Sequence, residues 1–503
     1  TGSFLVLKLT HPSIAWQFAV VHGTNLFIYI VSAASLSFLL SEIRRARAAA
    51  GPQPDFLAWS ITVAGYVLFL HTSLIMISIH QVTPDLLLSA FIYLAAALQL
   101  RLRRAENPTR ISLLLGVTLG IGYLAKTIML PLALPCLAAA ALPFRDLRRR
   151  LLPAAVAFAA LALPFITAIS LRYHRPTFGE SSRYNIAAFV NRSFDTVDRW
   201  AKPLPPGAGE WKNPPRTIWG YPVAFSYELN SAGTYPPWYD PSLWMDGLKA
   251  PFRPRALLAT IRRNIPNMAS LFLAGPPLPV FIAGLVVFLL NPAGWIKRAA
   301  RYHGLWLLSL TGAAAYAMTL VEPRYIGAFV VLTGLALLAP AAPRHTRPVA
   351  AAILLAALAS FTWFARDLLR MPHTPNASQI EVARLLLRHD LHPGDPVACI
   401  GRGYRAYWAR LAGLHIVAEM PMRSATEFWN CEEASRRGAL VALASTGAKV
   451  VVAKDIPDAA GREGWQRLGE TTYWVRELDR FNSGEAPPDN PARNIQNSPW
   501  RRP

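Results

Sequence analysis

The feature that most constrains this chain is a succession of long apolar runs whose connecting loops are alternately rich and poor in arginine and lysine. A helix needs ~20 mostly apolar residues to cross a hydrocarbon layer ~30 Å thick. On that criterion ten segments read as candidate spans: 16–40, 56–79, 86–100, 111–125, 127–142, 151–171, 268–290, 305–320, 326–338 and 349–364. The two that meet at Lys126 read equally as one long buried hairpin. Pro131, Pro135 and Pro164 lie inside runs, a placement membrane helices tolerate better than soluble ones. Composition agrees. Charged residues are 16% of the 503 and hydrophobic residues 53%, against about 25% charged in an average soluble domain.

The net charge of +22 on its own would suit nucleic acid or a membrane surface. Its distribution decides between them. One set of loops carries Arg44, Arg45, Arg47, Arg101, Arg103, Arg104, Arg110, Arg145, Arg148, Arg149, Arg150, Lys297, Arg298, Arg301, Arg344 and Arg347. The opposite short loops carry only Lys126 and Arg324. The excess of positive charge on cytoplasmic loops of membrane proteins puts the first set inside. Ten spans then leave both ends of the given chain, residues 172–266 and everything after 364 on the outer side. Most of the basic excess is a topology signal, and no nucleic acid partner is expected.

The chain divides into membrane helices over 1–171, a polar loop rich in proline and aromatics over 172–266, and four more spans over 267–365. A small α/β domain is expected over 366–480, and a disordered tail over 481–503. In that domain 378–390, 404–412 and 427–444 read as helices, and 396–400, 415–419, 449–453 and 472–476 as strands. The fold class is therefore a polytopic α-helical membrane protein with a small C-terminal α/β extracytoplasmic domain.

Ionisable residues at membrane depth are expensive and point to function by default. Three groups map to the outer edge. They are the turn His80-Gln81-Val82-Thr83-Pro84-Asp85, the lone Lys126, and the turn Glu322-Pro323-Arg324-Tyr325. Two cations and an acid at one level suit an anionic headgroup, since Lys and Arg are the phosphate-binding side chains. Blander readings stand beside these. Asp85 could cap its helix, Lys126 could snorkel to lipid phosphates, and Glu322 could pair with Arg324.

The long loop is rich in aromatics, among them Trp200, Trp211, Trp219, Tyr221, Tyr235, Trp238, Tyr239 and Trp244. These suit a sugar ring or, equally, an interfacial aromatic belt. Ile400-Gly401-Arg402-Gly403 is half of a nucleotide-binding turn and reads as an ordinary strand-to-helix connection. Cys399 and Cys431 could pair or remain thiols. The sequence has no G-x-S-x-G, H-E-x-x-H or P-loop pattern.

Three short motifs, in this order, resemble the bacterial GT-C class of membrane glycosyltransferases, the group of protein O-mannosyltransferases and the aminoarabinose transferase. Thr83-Pro84-Asp85 is similar to the outer-turn Pro-Asp motif. Gly116–Lys126 is similar to the Gly-rich helix that ends in Leu-Thr-Lys, with Ala125 in place of Thr. Pro323-Arg324-Tyr325 is similar to the Arg-Tyr turn. The resemblance covers about residues 10–365.

The resemblance implies a multi-pass protein of the bacterial inner membrane. Its activity would be transfer of a sugar from a polyprenyl-phosphate donor to a lipid, glycan or protein acceptor on the outer face. Lys126 and Arg324 would neutralise the lipid phosphate. Asp85 and His80 would shape the sugar pocket or hold a divalent ion, and Tyr325, Tyr235, Trp238 and Tyr239 would complete the substrate site. No cofactor is expected, and the two acids a metal would need are not evident. The class carries its catalytic acid in the first outer loop, whereas residues 1–41 contain no Asp or Glu. The catalytic residue is therefore left unassigned, on the expectation that the given chain lacks that loop. Competing readings are a transporter or flippase for a lipid-linked or anionic substrate, which should show midplane charges and repeated halves, and a non-catalytic membrane scaffold.

Overall fold

A computed structural model describes residues 2–49, 51, 55–141, 147–193, 209–211, 216–226, 245–341, 346–371, 377–401, 403–458 and 460–478. The chain forms two compact units. One comprises 1–11, 19–191 and 250–372, the other 12–18, 192–249 and 373–503.

The first unit is helical. In chain order its helices are α1 (Gly2–Thr10), α2 (Ile14–Ala48, from residue 19 on), α3 (Asp55–His71), α4 (Asp85–Leu102), α5 (Pro108–Ala125), α6 (Met129–Ala141), α7 (Leu147–Arg150), α8 (Leu152–Arg172) and α9 (Glu180–Asn185). After the long connection come α10 (Pro254–Leu273), α11 (Leu278–Leu290), α12 (Pro292–Ala299), α13 (His303–Ala317), α14 (Pro323–Leu338) and α15 (Thr346–Arg370). A π-helical turn, Thr72–Met76, extends α3.

The expected polytopic helical fold class holds, with some of the expected spans formed as shorter apolar helices. Among the described residues six helices, or seven if the bent pair α10–α11 is one span, are long and apolar enough to cross a membrane: Trp16–Ala48, Asp55–Met76, Asp85–Leu102, Pro108–Ala125, Arg148–Arg172 and Thr346–Arg370. The segments read as spans around 127–142, 305–320 and 326–338 form helices of 13, 15 and 16 residues. At 1.5 Å per residue each is too short to cross alone. The segment 268–290 is broken. α10 and α11 meet at 85°, because Gly275, at φ +69°, is followed by Pro276 and Pro277, neither of which has an N–H to carry the helix on.

Burial grades the helices. α14 is enclosed almost all round, with Ile326, Phe329, Val330, Leu332 and Leu335 fully buried in a core shared with Leu36, Leu57, Ile61, Ile92 and Tyr93. α8 is the opposite case, exposing Leu152, Val156, Leu163 and Leu171, as a lipid-facing helix would. The glycines of α5 explain how α8 is held. A Cβ on Gly116 would stand 2.1 Å from the Ala154 carbonyl oxygen, and one on Gly120 would stand 2.7 Å from Leu161. The Gly-rich run is therefore first a close-packing stripe between two backbones.

The second unit is α/β. Its seven-stranded sheet uses β2 (Arg216–Gly220), β3 (Val223–Ser226), β5 (Pro396–Ile400), β6 (His415–Met420), β7 (Val450–Lys454), β8 (Gln466–Arg467) and β9 (Tyr473–Glu477), in the order β2-β3-β6-β5-β7-β9-β8. β1 (Glu210–Trp211) and β4 (Met245–Asp246) pair separately. β5 runs parallel to both β6 and β7, and the outer pairings are antiparallel. Two strands thus come from the segment between the helical halves.

Both faces of the sheet are covered, which is why β5 and β7 read as continuous apolar runs. Val397 and Cys399 pack with α16 (Ala377–Arg388) and α17 (Tyr407–Leu411). Ala398 and Ile400 pack with α18 (Met422–Asn430) and α19 (Glu433–Ala444). The single helix expected over 427–444 is two, divided at Cys431. Cys399 and Cys431 are both free thiols.

Candidate functional site

The site is built from three helix ends that share one level of the helical unit. α4 begins with Pro84 in the capping position and Asp85 as its first helical residue. The helix dipole favours a carboxylate there. Asp85 is therefore not the cap that one reading made it, and its side chain is used elsewhere. It is only 2% exposed and pairs with Lys126.

Lys126 terminates α5 in an extended conformation, with its backbone N–H still bonded to Gly122 O at 2.9 Å. That placement turns the side chain toward Asp85 rather than outward to lipid, so the snorkelling reading does not hold. Its ammonium also stands 4.0 Å from the centre of the Tyr325 ring and 5.5 Å from that of Tyr316. An ammonium over an aromatic face is stabilised by the ring quadrupole, by up to about 2 kcal/mol when water is excluded.

α14 supplies the third corner. Glu322 occupies its N-cap position without a side-chain capping bond and Pro323 opens it, so Arg324 and Tyr325 project from a fixed first turn. Arg324 Nε donates to Glu322 Oε2 at 2.6 Å and its Nη2 to the Tyr325 hydroxyl at 3.0 Å. The guanidinium carbon lies 4.8 Å from the Tyr325 ring centre. The Glu322–Arg324 pair anticipated across this turn is therefore formed. Tyr325 stacks on Tyr316, with ring centres 4.9 Å apart and planes 12° apart. Asp85, Glu322 and Arg324 all lie near enough to act on the Lys126 charge.

Two asparagines that the sequence reading passed over hold the surroundings. Asn264 Nδ2 donates to Ala317 O at 3.0 Å and Thr319 O at 3.2 Å, fixing the segment between Tyr316 and Glu322. Asn25 Nδ2 donates to Ile79 O at 2.8 Å and Gln81 O at 3.3 Å, fixing the turn before Asp85. A polar side chain within the apolar α2 was the available signal for Asn25, whereas Asn264 follows Arg262 and Arg263 in a polar stretch of α10 that gave none.

Of the residues singled out, the structure brings Asp85, Lys126, Glu322, Arg324 and Tyr325 together, and it adds Tyr316. His80 lies in the turn before Asp85, exposed, with its ring edge-on to His22 at 6.0 Å. Tyr235, Trp238 and Tyr239 lie outside the described residues. Trp219, grouped with them as a possible sugar platform, is core in the second unit. It is 3% exposed, its indole donates to Tyr221 O at 2.7 Å, and a Cβ on Gly438 would strike its ring. Among the described residues no three His, Cys, Asp or Glu side chains converge as a metal-binding group.

The half nucleotide turn after β5 has an internal occupant. The backbone N–H of Gly403 donates to Glu419 Oε1 at 3.1 Å, and Glu419 is buried. A carboxylate of this chain thus takes the donor that a phosphate would use.

No protein-family model matches the sequence, and no curated protein is significantly similar to it. Among solved structures, the chain is similar to a crystal structure of ArnT from Cupriavidus metallidurans bound to undecaprenyl phosphate. The identity is 12% and the TM-score 0.49, with 96% of this chain and 88% of that chain covered. The apo state of the same protein is similar at 10% identity and a TM-score of 0.48, covering 96% and 87%. At that distance neither structure assigns a role to any residue of this chain.

Proposed function

We propose that this chain is a membrane glycosyltransferase that takes a sugar from a polyprenyl phosphate, with Lys126 and Arg324 receiving the lipid phosphate. The observation that carries the proposal is the pair of cations against one tyrosine ring, Lys126 Nζ 4.0 Å and the Arg324 guanidinium carbon 4.8 Å from the Tyr325 ring centre, at one end of the helical unit. Both now face carboxylates, Asp85 and Glu322. An arriving phosphate would compete with those carboxylates for charge-assisted bonds. It would gain in the transition state, when the leaving lipid phosphate takes on its full charge. The order of the three sequence motifs supports the same reading, since their charged residues converge here. On this reading the cluster lies on the outer face of a bacterial inner membrane, and the acceptor, whether lipid, glycan or protein, approaches from that side. Asp85 would orient Lys126, and His80 would border the sugar.

A transporter is the alternative. Its discontinuous helices carry charges or half-helix ends aimed at a midplane substrate. The break between α10 and α11 carries Gly275, Pro276 and Pro277 and no ionisable residue, which favours the transferase.

The test is binding of undecaprenyl phosphate to purified protein in detergent, wild type against Arg324→Gln and the charge-neutral double variant Asp85→Asn/Lys126→Gln. Each variant should bind at least tenfold more weakly while melting near the wild-type temperature. Unchanged affinity in both would remove the assignment.

A further inference from the structure

The break between α10 and α11 leaves α10 with a face that its own unit does not cover. α11 is 13 residues long, about 20 Å at ~1.5 Å per residue. It rises from α12, whose Arg298 belongs to the arginine-rich end, and stops roughly 10 Å short of crossing a ~30 Å hydrocarbon layer. There the axis turns through 85°. A helix at right angles to one that enters the membrane runs along the surface, here at the depth where hydrocarbon gives way to headgroups.

The polarity of α10 is the reverse of that of a helix on a soluble protein, which turns its apolar stripe inward. Its packed side holds Thr260 and Asn264, both buried. Asn264 is bound to the carbonyls of Ala317 and Thr319, and Arg263 donates to Phe189 O at 3.1 Å. These bonds fix the rotation of the helix about its axis. The side turned away carries Arg255, Leu258, Arg262 and Ile265. Residues three and four apart are neighbours on a helix, so these four form one stripe. All are exposed, Leu258 by 65% and Ile265 by 55%. The flank beside it, Arg263, Asn267 and Ser270, is polar throughout.

The stripe suits neither water nor hydrocarbon alone. Leu258 and Ile265 favour acyl chains, whereas arginines beside them can lay their stems along apolar surface and lift their heads to phosphates. α10 contains no Asp or Glu, so its charge is complementary to anionic headgroups.

We infer that α10 is an in-plane interfacial helix that binds anionic phospholipid, with Leu258 and Ile265 among the acyl chains and Arg255 and Arg262 on the headgroup phosphates. Helices of this pattern settle ~5–10 Å into the boundary between headgroups and chains, which is the level at which α11 stops. The partner is the leaflet at the Lys126 end, carrying a lipid such as phosphatidylglycerol. The surface shares no residue with the Lys126 cluster and stands whether or not that cluster handles a sugar donor.

The experiment uses the full chain with Cys431→Ser, since Cys136 and Cys399 are buried, in vesicles of phosphatidylcholine mixed with phosphatidylglycerol. Spin labels go on Leu258→Cys and Ile265→Cys in the stripe, and on Asn267→Cys and Ser270→Cys in the polar flank. All four positions are exposed, so melting should stay near wild type. The stripe labels should meet oxygen dissolved in lipid, and the flank labels a water-soluble nickel chelate. Equal access of the chelate to all four would overturn the interfacial placement. Spin–spin broadening between chains at the stripe would assign it to a second copy and overturn the lipid as occupant. Headgroup choice is read by native mass spectrometry of the unlabelled chain. Wild type should retain phosphatidylglycerol over phosphatidylcholine. Arg255→Gln and Arg262→Gln should each weaken that preference roughly fivefold, the equivalent of about 1 kcal/mol for one basic residue near a membrane surface. Arg110→Gln, an exposed basic residue of α5, should leave it unchanged. Equal loss in Arg110→Gln would reduce the effect to bulk charge and overturn headgroup recognition, as would no loss in either stripe variant. Full displacement by inorganic phosphate would overturn the lipid as the source of the anion.

Discussion

The two ends of the helical unit both carry buried or half-buried cations, and they spend them differently. At the arginine-rich end the partners are mainly backbone carbonyls where helices stop. Arg47 donates to Ala339 O at 2.5 Å and Ala341 O at 3.2 Å, past the end of α14. Arg150 donates to Leu102 O at 2.5 Å, at the end of α4, and Arg298 to Pro340 O at 2.6 Å. The last carbonyls of a helix have no intrahelical donor, and the helix dipole makes that end negative. These arginines satisfy both needs at once. At the Lys126 end the partners are carboxylates and ring faces, which belong to side chains and can be exchanged for a ligand's oxygens. A basic residue that completes a helix end is committed to the fold. One that leans on a tyrosine and a carboxylate remains available for chemistry.

Substitutions separate the two kinds of use. The largest expected effect is from Lys126→Met. It strands Asp85 as an unpaired buried carboxylate and should cost about 3–5 kcal/mol, seen as a marked fall in melting temperature in detergent. Asp85→Asn added to it should restore most of that loss without restoring binding of undecaprenyl phosphate. If the double variant regained binding, the Lys126 end would be structural in the same sense as the other. Next comes Arg47→Ala. This residue is 5% exposed, and its loss frees two carbonyls of their donor. At about 1.5–3 kcal/mol for a hydrogen bond to a charged group, melting should fall clearly while lipid-phosphate affinity holds.

Arg324→Gln should do the reverse. Its pair with Glu322 is partly exposed, so stability should change by under about 1 kcal/mol while affinity for the polyprenyl phosphate falls at least tenfold. A fall in melting temperature comparable to that of Arg47→Ala would erase the distinction. The smallest effect is expected from Tyr325→Phe. It removes the hydroxyl that Arg324 bonds and keeps the ring under both cations. About 1 kcal/mol, or a few-fold in affinity, is the expected loss.

How much of this was legible in the chain varies by element. β5 and β7 were evident within a residue, because a short apolar run bounded by Gly and Asp can be little else once helices flank it. Gly116–Lys126 was found as a motif, but the reason for its glycines was not, because Ala154 approaches from 38 residues further along the chain. The three charged turns were found as separate signals. Tyr316 was not, since a tyrosine in an apolar helix looks the same whether it faces lipid, core or a lysine. Trp219 was misplaced among surface aromatics because strand pairing with a distant part of the chain buries it.

By itself the sequence determined that this chain must live with a membrane and which of its charges are out of place there. Apolar run length and the alternation of basic loops are local properties, and burial of apolar surface acts on them whatever the final packing. The sequence also determined that Asp85, Lys126 and Arg324 lie at one level, since each sits at a helix end on the same side of the pattern. Only the tertiary structure decided that they are partners, and that Tyr316 and Tyr325 join them. Which runs are too short to cross alone was likewise decided there, by where prolines, glycines and caps end each helix. Ion pairs and ring contacts act over a few ångströms between residues tens or hundreds of positions apart, and nothing in a linear pattern encodes that distance.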